Sequence, residues 1–170
     1  IVRLIGAGRK EDANHFLGQT IFTALFPAIG IAVIWYFAAP IIFRTVLGTS
    51  EAVTAIGVDY LRVVSWFAPF IIMNFVAIGL VRGAGDTHLS MITGLLVNGI
   101  HLVLAVLLIF GVGKFPELGV RGAALAAGTA HTVGCIFTFT FILRGRSMLT
   151  FNWNDFRDIN RRSIVHVIQT

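Results

Sequence analysis

The sequence predicts an all-α, polytopic membrane protein with four transmembrane helices, and three observations carry that prediction. First, charge is scarce: hydrophobic residues make up 56% of the 170 and charged residues 12%, about half of the roughly 25% carried by average soluble chains. Second, Asp, Glu, Lys and Arg are absent from four runs, Phe16–Phe43, Val63–Val81, Leu89–Gly113 and Gly122–Leu143. A helix rises 1.5 Å per residue, so about 20 apolar residues cross a hydrocarbon core about 30 Å thick. Third, the runs are unbroken rather than alternating with period two. In lipid, where the backbone must satisfy its own polar groups, this selects helices over a closed barrel. The spanning helices are expected at about 16–43, 61–82, 89–113 and 120–143.

The chain opens at Ile1 without an initiator Met or a signal-peptide pattern, on a segment that reaches the charged run Arg9-Lys10-Glu11-Asp12. Residues 1–15 are expected to be a cytoplasmic loop following an earlier helix, and the chain a piece of a longer protein. The first helix carries Pro27 near its middle and Pro40 near its end, and the second carries Pro69. Each removes a backbone donor and invites a kink, either as a packing adjustment or as a hinge that widens a cavity.

The second helix ends at Arg82-Gly83-Ala84-Gly85-Asp86-Thr87, which echoes Ile5-Gly6-Ala7-Gly8-Arg9 near the start. Glycine permits the positive φ of a tight helix exit. No strand precedes either Gly-Ala-Gly, and no further Gly or Lys-Ser/Thr follows at phosphate-loop spacing, so nucleotide binding is excluded. An internal duplication and a chance match in a Gly-rich chain both account for the echo.

The third and fourth helices are joined by the short segment Lys114–Val120 and are expected to be antiparallel neighbours. The fourth starts with small residues, Gly122, Ala123, Ala124 and Ala126 among them, which let helix backbones approach closely where apolar contact alone gains little. The lone Cys135 lies inside this helix and leaves no disulfide framework and no metal-binding pair. Residues 144–170 are expected to form a cytoplasmic linker, with Trp153 at the interface, Asn154 capping a short helix, and another apolar helix starting near Ser163.

The net charge of +5 is a topology signal rather than a nucleic-acid footprint. If the four runs span, one side holds Arg3, Arg9, Lys10, Arg82, Arg144, Arg146, Arg157, Arg161 and Arg162, and the other holds Arg44, Arg62, Lys114 and Arg121. Nine against four puts both ends of the chain in the cytoplasm.

Polar residues at membrane depth are the candidate functional residues. Asn74, Asn98, His101 and His131 fall near the centres of their runs, and Asn98 and His101, three apart, share a helix face. An ionisable group at mid-bilayer is costly and marks a pathway or relay, and histidine exchanges protons near neutrality. The plainer reading keeps each imidazole neutral and hydrogen-bonded to a neighbouring helix. Ser65 and Thr93 are weaker candidates, because hydroxyls bond their own helix backbone. No nucleophile with an acid–base partner is visible at depth, so the chain is not expected to be an enzyme.

Leu4–Ala13, then Tyr60-Leu61-Arg62 with Val81–Thr87, then Leu107–Gly111 and Leu118–Ala126 resemble, in order and spacing, segments of the multidrug and toxic compound extrusion (MATE) family. The resemblance covers nearly the whole chain. It implies helices three to six of the six-helix amino-terminal lobe of a twelve-helix transporter, in the plasma membrane and with a bacterial inner membrane expected. Such transporters exchange H+ or Na+ for organic cations, drugs or other amphipathic compounds by alternating access, with no other cofactor. The partners implied are the bilayer, a small amphipathic or cationic substrate and the remaining helices. One departure stands out. Asn98 is kept, but His101 stands where a second Asn is usual and Ala105 where an Asp is usual. His101, with His131, is therefore expected to take over part of the proton-responsive role. Alternatives are a related lipid-linked-precursor flippase and a non-transporting membrane scaffold.

Overall fold

The computed structural model describes the backbone of residues 10–144 and the side chains of residues 18–144. Four long helices run through them: α1 (Lys10–Ile41), α2 (Glu51–Gly83), α3 (Thr87–Phe110) and α4 (Gly119–Leu143), with a π-helical turn, Ile42–Val46, continuing α1. All four are long and apolar enough to cross a membrane. The Ile5–Arg9 turn and the linker from residue 145 onward lie outside the described residues.

The helices overrun the charge-free runs. α1 already begins at Lys10, within the stretch expected as a loop, and α2 begins at Glu51 rather than near 61. Helical hydrogen bonding does not stop at the hydrocarbon boundary, and in the extension of α2 two of the charges, Asp59 and Arg62, have contacts of their own. Asp59 accepts an ion pair from Arg121 Nε at 3.1 Å, and the Arg62 guanidinium lies 5.3 Å from the centre of the Tyr36 ring. Both contacts tie the first turns of α2 to a neighbouring helix.

Between α1 and α2 the chain turns in a few residues. The π-helical turn follows Pro40, which cannot donate to the ladder. It seats the Phe43 ring against Gly57 of α2, where a Cβ would meet that ring. Thr49 then donates its hydroxyl to the Phe43 carbonyl at 2.9 Å and shares a 2.8 Å hydroxyl contact with buried Thr54.

The order in space is not the order in sequence. α1 packs on α2, α2 on α4 and α4 on α3, whereas α2 and α3, joined by the tight Ala84–Asp86 turn, touch much less. α4 therefore lies between α2 and α3 and runs parallel to α2. Its composition explains the placement: Gly122, Ala124, Ala126, Gly128 and Ala130 are all buried, with the residues between them half-buried. At 100° per residue this alternation divides into two faces, Gly122 and Ala126 on one and Ala124 and Gly128 on the other. A Cβ on Gly122 would run into the Leu108 backbone of α3, and one on Gly128 into the Phe67 ring of α2. Small residues on two sides let one helix approach two others. At the Arg82 end, Leu80, Val81, Leu89 and Ile142 close an apolar core.

Candidate functional site

The parallel pair α2 and α4 brings Asn74 and His131 together. Asn74 is 1% exposed, and its Nδ2 lies 3.1 Å from His131 Nδ1. As drawn, the amide donates to an unprotonated Nδ1; with the amide turned over, an Nδ1–H donates to the carbonyl oxygen instead. Asn74 Oδ1 is buried and has no hydrogen-bond partner among the described residues. Gly134, one turn beyond His131, makes the approach possible. A Cβ there would collide with Val97 of α3 and stand 3.1 Å from Asn74 Oδ1. The Phe75 ring lies 5.2 Å from the imidazole, centre to centre.

α3 contributes His101, which is half-buried. Its neighbour on the same face behaves differently. Asn98 is exposed and donates its amide to the Gly94 carbonyl of its own helix at 2.9 Å. Of the four polar residues singled out at depth, the structure thus pairs Asn74 with His131, leaves His101 half-buried on α3 and leaves Asn98 exposed on the same helix. Ala105 is half-buried.

A second polar contact was not expected from sequence. Thr93 bonds its own backbone, to the Leu89 carbonyl at 2.9 Å, and also meets the Thr138 hydroxyl of α4 at 3.1 Å. Both residues are buried. Thr138 carried a readable signal: it falls one heptad after His131, on the α4 face that turns toward its neighbours. Ser65 bonds only the Leu61 carbonyl, at 2.6 Å.

The Arg82-Gly83-Ala84-Gly85-Asp86-Thr87 segment forms the turn between α2 and α3. Gly85 takes φ 92°, a conformation that favours glycine. Asp86 caps α3, its Oδ1 accepting from Leu89 N–H at 3.0 Å, and Thr87 is the first residue of the helix. Arg82 reaches over the turn and donates from Nε and Nη2 to Ser90 Oγ at 3.2 and 3.1 Å. Gly83 has open space where a Cβ would be. In the described residues the motif acts as a clasp that holds two helix ends. Among them, no group of three or more His, Cys, Asp or Glu side chains is placed to hold a metal ion.

Comparisons with known proteins give the chain its setting. It is 30% identical over 164 residues to a Bacillus cereus protein described as a probable multidrug resistance protein NorM, covering 96% of this chain and 36% of that protein. A Thermotoga maritima protein of the same description is 32% identical over 148 residues, 85% of this chain and 31% of its own. A Bacillus subtilis protein described as probable multidrug resistance protein YoeA is 28% identical over 141 residues, 83% of this chain and 30% of its own. The chain therefore spans about a third of the length of the curated relatives it matches. No solved structure matches it. The MatE family profile matches residues 1–107, well over half of the chain, and with four membrane-length helices behind that match the chain belongs to the MatE family.

Proposed function

We propose that the chain supplies four of the six helices of the amino-terminal lobe of a secondary-active efflux transporter. That protein would sit in the plasma membrane with both ends of this segment cytoplasmic, and exchange H+ or Na+ for an amphipathic or cationic compound. The relatives described as multidrug resistance proteins support the efflux reading, and the chain itself is not an enzyme. The observation that carries the mechanism is the Asn74–His131 contact, with Asn74 buried, inside helices of membrane length. A polar or ionisable group at that depth is costly and by default marks a pathway or relay. In this reading His101 and His131 carry the proton-responsive role, because histidine is the side chain whose charge changes most readily near neutrality. The unpartnered Asn74 oxygen offers an acceptor to whatever enters beside them. No Lys or Arg lies at this depth to hold a pyrophosphate, so nothing here favours the flippase alternative.

The test is the pH dependence of substrate efflux by the full-length protein in proteoliposomes. His101→Asn is expected to flatten that dependence or shift its midpoint by about one pH unit, while Asn98→Ala leaves the midpoint in place. A His101→Asn protein with an unchanged pH profile would end the histidine mechanism. A full-length protein driven by Na+ alone would end the proton reading.

A further inference from the structure

The seam between α1 and α2, at the end of the bundle away from the Arg82–Thr87 turn, has the shape and polarity of a phospholipid. At its outer end lies a cleft of about 400 Å³ lined by Pro40, Arg44, Glu51, Thr54, Asp59 and Arg62. Toward the middle of the bundle follows a groove of about 250 Å³, nearly all apolar, between Val33, Tyr36 and Phe37 on α1 and Trp66 and Pro69 on α2. The two lie one after the other along the same pair of helix faces. Residues 33, 36, 37, 40 and 44 fall on one face of α1 by helical spacing, and residues 55, 58, 59, 62, 66 and 69 on one face of α2. Arg62 of the cleft, resting on the ring of Tyr36 of the groove, marks the boundary.

The charges in the cleft are incompletely matched. Asp59 is taken by Arg121. Among the described residues, Arg44, Arg62 and Glu51 have no ion-pair partner, and the Arg62 guanidinium carbon lies over the Tyr36 ring. Guanidinium forks match phosphate oxygens bidentately, and a free carboxylate beside them matches an ammonium. Phe37 and Trp66, 71% and 74% exposed, flank the groove below, as aromatic side chains do where a polar headgroup meets hydrocarbon.

We propose that this seam binds a phospholipid with an amine-bearing headgroup, of the phosphatidylethanolamine class. Arg44 and Arg62 hold its phosphate, Glu51 receives its ammonium, and an acyl chain lies in the groove between Phe37 and Trp66. The lipid completes the charge pattern of the cleft and fills a groove that the described residues leave open.

The test is native mass spectrometry of the full-length protein released from nanodiscs of equal phosphatidylethanolamine and phosphatidylglycerol. The wild type is expected to retain phosphatidylethanolamine in preference. The double variant Arg44→Gln/Arg62→Gln should lose retention about tenfold, as loss of charge-assisted hydrogen bonds does. Glu51→Gln should erase the preference for the amine headgroup while keeping lipid bound. Unchanged retention in the double variant, as when another helix of the full protein fills the seam, overturns the proposal; equal retention of both lipids in the wild type overturns the headgroup assignment. A measurement on otherwise native protein guards against misfolding of the double variant. Brominated phosphatidylethanolamine should quench the fluorescence of the wild type more than that of Trp66→Phe, and equal quenching sinks the idea. Lipid retention is read without transport, so its failure leaves the efflux reading untouched, and the reverse.

Discussion

Asn74 and His131 meet across the α2–α4 contact at 3.1 Å, with one amide oxygen left over. What that contact is worth follows from its surroundings. In water-soluble cores, losing one partner of a buried hydrogen bond costs about 1–3 kcal/mol. Between membrane helices the measured coupling is smaller, about 0.6 kcal/mol on average and up to about 1.7, because the separated helices also find partners. A double-mutant cycle of Asn74→Leu and His131→Leu in the full-length protein, read by reversible unfolding in bicelles, is therefore expected to give a coupling of about 0.6–1.7 kcal/mol. A coupling indistinguishable from zero would mean the pair is only an accident of proximity. At this scale the sequence was half legible. A polar residue in an apolar run is visible by inspection, so Asn74, Asn98, His101 and His131 all stood out. Which of them meet was not visible. Helical spacing joins Asn98 to His101 on α3, yet the Asn98 amide spends its donor on Gly94 of its own turn, while Asn74 finds a partner 57 residues away.

The helices themselves were the most legible level, because a charge-free run of membrane length has few other stable forms. Their ends were less so. Asp59 and Arg62 of α2 look like loop residues until Arg121 and Tyr36 are seen to receive them, and the π-helical turn after Pro40 has no sequence signal beyond that proline. Within α4 the run of small residues signalled close packing, but not that it serves two neighbours at once. That double duty makes a sharp prediction. At Gly122 a Cβ meets the Leu108 carbonyl, which is backbone and cannot swing aside; at Gly134 it meets Val97 on one side and Asn74 on the other. Overpacking of this kind costs about 1–3 kcal/mol, so Gly122→Ala and Gly134→Ala should each lower stability by that amount in the same unfolding assay. Gly99→Ala, where nothing lies within 4 Å, should be neutral or slightly stabilising, since Ala is the better helix former. Equal effects at all three positions would contradict the close α3–α4–α2 approach. The clasp at the other end is tested by Asp86→Ala, which removes the α3 cap and should cost about 0.5–2 kcal/mol.

At the scale of the molecule, the spatial order α1–α2–α4–α3 follows from where the small residues are, and the faces left open follow from that order. α4 is the most enclosed helix, whereas α1 and α3 turn most of their apolar residues outward. Orientation across the membrane rests on a different quantity, the nine basic residues on one side against four on the other. Two exposed turns make it measurable. His88 follows the Arg82–Thr87 clasp and Lys114 lies in the α3–α4 connection, and both are exposed at opposite ends of α3. Cys135, the one cysteine of this chain, is buried among the helices, and any cysteine outside it is replaced before labelling. In intact cells producing the full-length protein, a membrane-impermeant maleimide is expected to label Lys114→Cys, and to label His88→Cys only after permeabilisation. The reverse pattern would invert the topology and move the Arg44–Arg62 cleft to the cytoplasmic leaflet. Labelling of both sites in intact cells would mean that α3 does not cross the membrane at all.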